Sequence, residues 1–117
     1  MNSPVMNITK TEIILNSFGS ECPVCIVCGY TDLRRGIDAL AETVRTQYDL
    51  NPRENMMFLF CGRKQNRIKA LYWEGDGFLL IYKRLEESNF HWPMNRHEAQ
   101  GLSRDHYRWL VAGLGMK

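Results

Sequence analysis

Two groups of residues in this sequence have types and spacing that could do chemistry. The first is thiol. Cys22, Cys25 and Cys28 form a Cys-x-x-Cys-x-x-Cys run, and Cys61 stands before Gly62. That spacing can hold zinc or an iron–sulfur cluster. The run Cys22-Pro-Val-Cys-Ile-Val-Cys28 is also apolar and rich in β-branched residues, so it reads as a strand. Side chains alternate faces along a strand, which sends Cys22 and Cys28 one way and Cys25 the other. Three thiolates then cannot converge on one ion, and no nearby His or Cys pair completes a four-ligand set. The expectation is no metal, with the thiols packed as small hydrophobes and kept reduced in a cytosol.

The second group is basic and aromatic. Between Arg53 and Arg84 stand seven basic residues (Arg53, Arg63, Lys64, Arg67, Lys69, Lys83, Arg84) and three acidic ones (Glu54, Glu74, Asp76). That stretch is +4, while the rest of the chain, eight basic against ten acidic residues, is −2. An anionic partner would be felt in the middle of the chain. Solvated strand and turn charges would give the same count.

Catalytic constellations are not found. There is no Gly-x-Ser-x-Gly elbow, phosphate loop or His-Glu-x-x-His. Gly75-Asp76-Gly77 lacks the further spaced oxygens of a calcium loop and reads as hairpin chemistry. His91, His97 and His106 have no cysteine or carboxylate partner at a telling interval. Capping, turns and solvation account for Asp32, Asp38, Glu74, Asp76, Glu86 and Glu87. Neither an enzyme nor a cofactor is expected.

The elements that must position these residues follow from periodicity. The 117 residues are 44% hydrophobic and 24% charged, which suits one globular domain over 1–117. They are too few for a TIM barrel, a kinase or a nuclease-type transposase core. No apolar run approaches the ~18 to 20 residues of a membrane span. Met1 to Ser20 lacks the pattern of a secretory signal, so a cytoplasmic protein is expected, its first residues loose. A first strand covers Cys22 to Cys28 and ends at Gly29. Thr31 or Asp32 caps the next helix, whose stripe is Leu33, Ile37, Leu40, Ala41, Val44 and Tyr48. Gly36 inside it costs about 1 kcal/mol against Ala, and Asn51-Pro52 closes the region. Strands at Met56–Cys61, Arg67–Trp73 and Phe78–Leu85 are joined by polar turns and form antiparallel hairpins. Glu86 to Gln100 reads as a loop. Ser103 caps a last helix striped by Tyr107, Leu110, Val111 and Leu114, with Arg104 and Arg108 outside. The fold class is α+β: a small antiparallel sheet, a three-stranded meander plus an additional strand, packed with two helices.

The Gly75-Asp76 turn pairs Trp73 with Phe78, Leu71 with Leu80, Lys69 with Tyr82 and Arg67 with Arg84. Ile68, Ala70, Tyr72, Leu79 and Ile81 then share one face, the expected core, with Lys83 at its far end. Arg67, Lys69, Leu71, Trp73, Phe78, Leu80, Tyr82 and Arg84 share the other. Cations mixed with rings suit nucleic acid. A second face covered by a helix, with Lys and Arg snorkelling at its rim, would read the same.

The ordered motifs also carry a resemblance. Tyr30-Thr-Asp-Leu-Arg-Arg-Gly-Ile-Asp-Ala-Leu40, Phe58-Leu-Phe-Cys-Gly-Arg63, Arg67-Ile-Lys-Ala-Leu-Tyr-Trp73, Gly75-Asp-Gly77, Tyr82-Lys-Arg-Leu-Glu86 and Phe90-His-Trp-Pro93 appear in order. Together, over about 24–114, they resemble the TnpB (second open reading frame) accessory proteins of insertion sequences of the IS-sixty-six class. The resemblance implies a bacterial mobile-element protein encoded beside a separate, larger transposase and serving transposition. It supplies no catalytic residues, and the three cysteines of the first strand depart from its pattern. The resulting expectation is a non-enzymatic factor that binds the DNA of the element ends. Arg63, Lys64, Arg67, Lys69 and Arg84 would meet phosphates, with Trp73 and Tyr82 beside them. The alternative is an interaction module that docks on the transposase through its sheet face or edge, without touching DNA.

Overall fold

A helix inserted between two strands decides the topology. In the computed structural model, which describes residues 24–100, strand β1 (Val24–Tyr30) leads through helix α1 (Ile37–Tyr48) to strand β2 (Met57–Cys61). A chain that crosses back along a helix returns in its original direction, and β1 pairs with β2 in parallel. Strands β3 (Arg67–Trp73) and β4 (Phe78–Arg84) follow through short turns and pair antiparallel. The sheet is four-stranded and mixed, in the order β1-β2-β3-β4. The α+β class therefore holds, with the additional strand joined in parallel. The expected hairpin register is also the one found, from Arg67↔Arg84 to Trp73↔Phe78. Glu74 N donates to Gly77 O across the turn at 2.9 Å.

Several local expectations need correction. β1 runs past Gly29, which takes φ +80 within an irregularity where the β1–β2 register shifts. A glycine can hold that left-handed backbone and let the strand resume at Tyr30. Helix α1 is not capped by Thr31 or Asp32. Its N-cap is Gly36, in extended conformation and without a side-chain cap bond. Asp32 instead accepts from its neighbour: Arg34 N and Nε both donate to Oδ1 at 3.0 Å. Gly36 therefore escapes the cost of a mid-helix glycine. Leu33 lies before the helix yet packs in the same apolar cluster, which is why it fits the stripe. Within Glu86 to Gln100 there is a short helix α2 (Arg96–Gln100). Asn95 Oδ1 accepts from Glu98 N, and Glu98 Oε1 accepts from Met94 N, a reciprocal pairing at the helix start. The helix expected from Ser103 and the loose start lie outside the described residues.

The sheet is covered on both faces. On one, α1 packs Leu40 and Val44 against Phe58, Phe60 and Leu71, all almost fully buried. On the other, Phe90 and Trp92 close over Met57, Leu59, Cys61, Ile68 and Ala70. β2 lies between the two clusters and is buried at every position, so its run of apolar residues does not alternate. Trp92 Nε1 donates to Val27 O at 2.9 Å, and Gly29 N to Pro93 O at 3.0 Å, which fastens the Phe90–Pro93 segment along β1.

Candidate nucleic-acid interface

At the end of the sheet where β1 and β2 finish, two loops meet. Thr31 N donates to Cys61 O at 2.8 Å, which draws the Thr31–Gly36 loop over the start of the β2–β3 turn. Gly62 sits against Leu33 so closely that an added Cβ would lie 3.2 Å from Leu33 Cδ1. The turn itself closes through Gln65 N to Gly62 O at 2.9 Å, with Gln65 at φ +67. Between the loops and the neighbouring strands lies an open groove of about 940 Å3. Its lining includes Arg34, Arg63, Lys64, Arg67 and Lys69, with Tyr30 and Tyr82, against one acidic residue, Asp32.

The cations differ in depth. Arg63 and Lys64 are exposed on the turn, whereas Arg67 and Lys69 on β3 are half-buried. Lys69 Nζ donates to Leu33 O at 2.7 Å and Arg35 O at 3.2 Å, and stands 5.9 Å from the Tyr82 ring centroid. Arg67 Nε is buried without a hydrogen-bond partner. Arg34 is committed to Asp32, whose carboxyl it pulls down to about 2, chiefly through their side-chain hydrogen bond. Arg63, Lys64, Arg67 and Lys69 enter none of the ion pairs found among the described residues.

Of the seven residues expected to meet DNA, the groove collects five: Arg63, Lys64, Arg67, Lys69 and Tyr82. Trp73 and Arg84 stand elsewhere. Trp73 lies at the opposite end of β3, about 20 Å along the strand from Arg67. There it meets Phe78 edge-on at 5.0 Å, and the Arg53 guanidinium covers it at 4.9 Å. Arg84 turns to Glu86 Oε2 at 2.9 Å. The hairpin face that carries Arg67, Lys69, Trp73, Tyr82 and Arg84 is therefore not an open platform, because α1 covers its middle at Leu71 and Leu80. The sequence reading missed the partners from the β1–α1 loop, Thr31, Asp32 and Arg34, having placed them in a helix start.

Cys25 packs on the α1 side of the sheet, and Cys61 is buried on the other. Burial pushes Cys25 upward and Cys61 up to about 12, both against thiolate formation. Among the described residues no three His, Cys, Asp or Glu side chains gather as metal ligands.

The family model for the IS66 Orf2 like protein matches residues 22–117. This chain belongs to the IS66 Orf2-like family. A Sinorhizobium fredii protein called "Uncharacterized protein y4hO" is 33% identical over 96 residues, covering 82% of this chain and 84% of that protein. A second from the same organism, "Uncharacterized protein y4jC", is 32% identical over 83 residues, 71% of each chain. No solved structure matches. Membership gives the protein an accessory role in insertion sequences. In this IS66 Orf2-like protein two of the six motifs that carry the resemblance, Tyr30 to Leu40 and Phe58 to Arg63, contribute to the loops that frame the groove.

Proposed function

We propose that this IS66 Orf2-like protein is a non-enzymatic DNA-binding factor for transposition, working in the cytoplasm beside a separate transposase. The groove carries the reading. Four cations that enter none of the ion pairs among the described residues line one concavity. Like charges crowded in one groove repel one another, and an incoming phosphate relieves that repulsion. Arg63 and Lys64 on the rim meet the backbone first, with Arg67 and Lys69 behind them.

The test is a titration with element-end DNA at two salt concentrations, with and without the transposase. Phosphate contacts give an affinity that falls steeply with salt, whereas a docking face depends mainly on apolar burial. Binding of the transposase alone, with DNA affinity absent at low salt, would replace this reading by that of an interaction module.

A further inference from the structure

We propose that the groove accepts DNA carrying an unpaired base, and that Tyr82 is the ring on which this base stacks. The proposal rests on the DNA-binding reading and specifies the form of DNA. At about 940 Å3 the groove has the scale of pockets that enclose small ligands, about 300–1,000 Å3. A double helix, whose major groove alone is about 12 Å wide, lies across the mouth of a groove of that volume and not within it. There it meets first the exposed Arg63 and Lys64.

The half-buried cations require something slimmer. Arg67 keeps a buried Nε without a hydrogen-bond partner, and Lys69 stands deeper than the rim. A single strand can bring a phosphate to that depth because its backbone is not held on the outside of a cylinder. Tyr82 lies in the same groove on edge strand β4 and is 51% exposed, although it is a large ring. The Lys69 ammonium lies over one face of that ring, 5.9 Å from its centroid. The base therefore stacks on the other face, with a positive charge across the ring from it. A positive channel with a half-open aromatic ring is the arrangement that binds single strands, since every base offers a π-face.

The full-length chain is titrated with one labelled oligonucleotide, single-stranded and annealed to its complement. The single strand is expected to bind more tightly. Tyr82→Leu should weaken single-strand binding about 5- to 150-fold, the range of one lost base stack. Tyr82→Phe, which keeps the ring, should bind like the parent, and duplex affinity should not move in either variant. A fluorescent base analogue in the strand should be quenched by the parent protein, which tests stacking even if Tyr82→Leu folds poorly. Duplex binding as tight as single-strand binding, or no quenching, overturns this proposal and leaves the DNA-binding reading standing. Absence of binding to either form overturns both.

Discussion

Lys64 and Lys69 both line the groove, but only Lys69 is also bonded into the fold, and unfolding measurements on each truncation show the difference. Lys64 is exposed on the β2–β3 turn. Lys64→Ala should reduce the slope of log affinity against log salt by about 0.9 on duplex DNA. Stability should change by less than about 0.5 kcal/mol, as at other exposed charges, which urea unfolding would check. Lys69 holds the Leu33 and Arg35 carbonyls. Lys69→Met keeps the apolar stem but removes both bonds, and should cost about 1–3 kcal/mol in the same unfolding experiment. A Lys69→Met protein as stable as the parent would show that those bonds do not tie the loop to the sheet. Cys61 gives a pH prediction. Burial raises its thiol from 9.0 to about 12, so the folded state keeps a proton that the unfolded chain releases. Its contribution is complete below about pH 9 and is lost as pH rises toward 12. Stability measured by urea between about pH 9 and 10 should fall, and Cys61→Ala should fall less steeply.

At the scale of elements, the β3–β4 hairpin depends on a glycine, whereas the start of α1 has a glycine it does not need. Gly75 holds φ +104, and nothing lies within 4 Å of the position an added Cβ would take. The penalty of Gly75→Ala is therefore conformational and should be about 1–3 kcal/mol. Gly77 also faces open space but needs no positive φ. Gly77→Ala should leave the melting temperature nearly unchanged, and equal losses at both would refute the assignment of strain to Gly75. Gly36 is an N-cap of extended backbone that contributes no side-chain bond. Gly36→Ser supplies the missing acceptor and should raise stability by a few tenths of a kcal/mol.

For the molecule as a whole, the covering of both sheet faces matters most. The Phe90–Pro93 segment closes the face opposite α1, and Trp92 is its anchor, 6% exposed and bonded to Val27 O. Trp92→Phe keeps most of the packing and loses one buried bond partner, at about 1–3 kcal/mol. Trp92→Ala opens a cavity over Leu59 and Ala70 and should cost about 3–5 kcal/mol. Thermal unfolding of the two variants orders them, and equal losses would mean that the hydrogen bond, rather than packing, holds the segment. Both variants should keep the salt dependence of DNA binding, because the groove lies among Thr31–Arg34, the β2–β3 turn and β4.

What the sequence determined by itself was local and periodic. Alternation around Gly75-Asp76 fixed the hairpin register, because a period of two permits no slip without turning every side chain over. The run of apolar residues from Met56 to Cys61 marked a strand, found at Met57–Cys61, and the ordered motifs marked the family. The tertiary structure decided what lies opposite each face. That β1 is parallel to β2, and that α1 covers Leu71 and Phe58, depends on where the crossing helix lands rather than on any spacing within a strand. The same packing split the seven residues expected to meet DNA, keeping five in one groove and leaving Trp73 and Arg84 outside it. Arg34 and Thr31 joined the groove because a backbone bond from Thr31 to Cys61 brings together loops about 30 residues apart in sequence. Pattern within a segment reports which side of the element is apolar; only long-range contacts determine which segments share a surface.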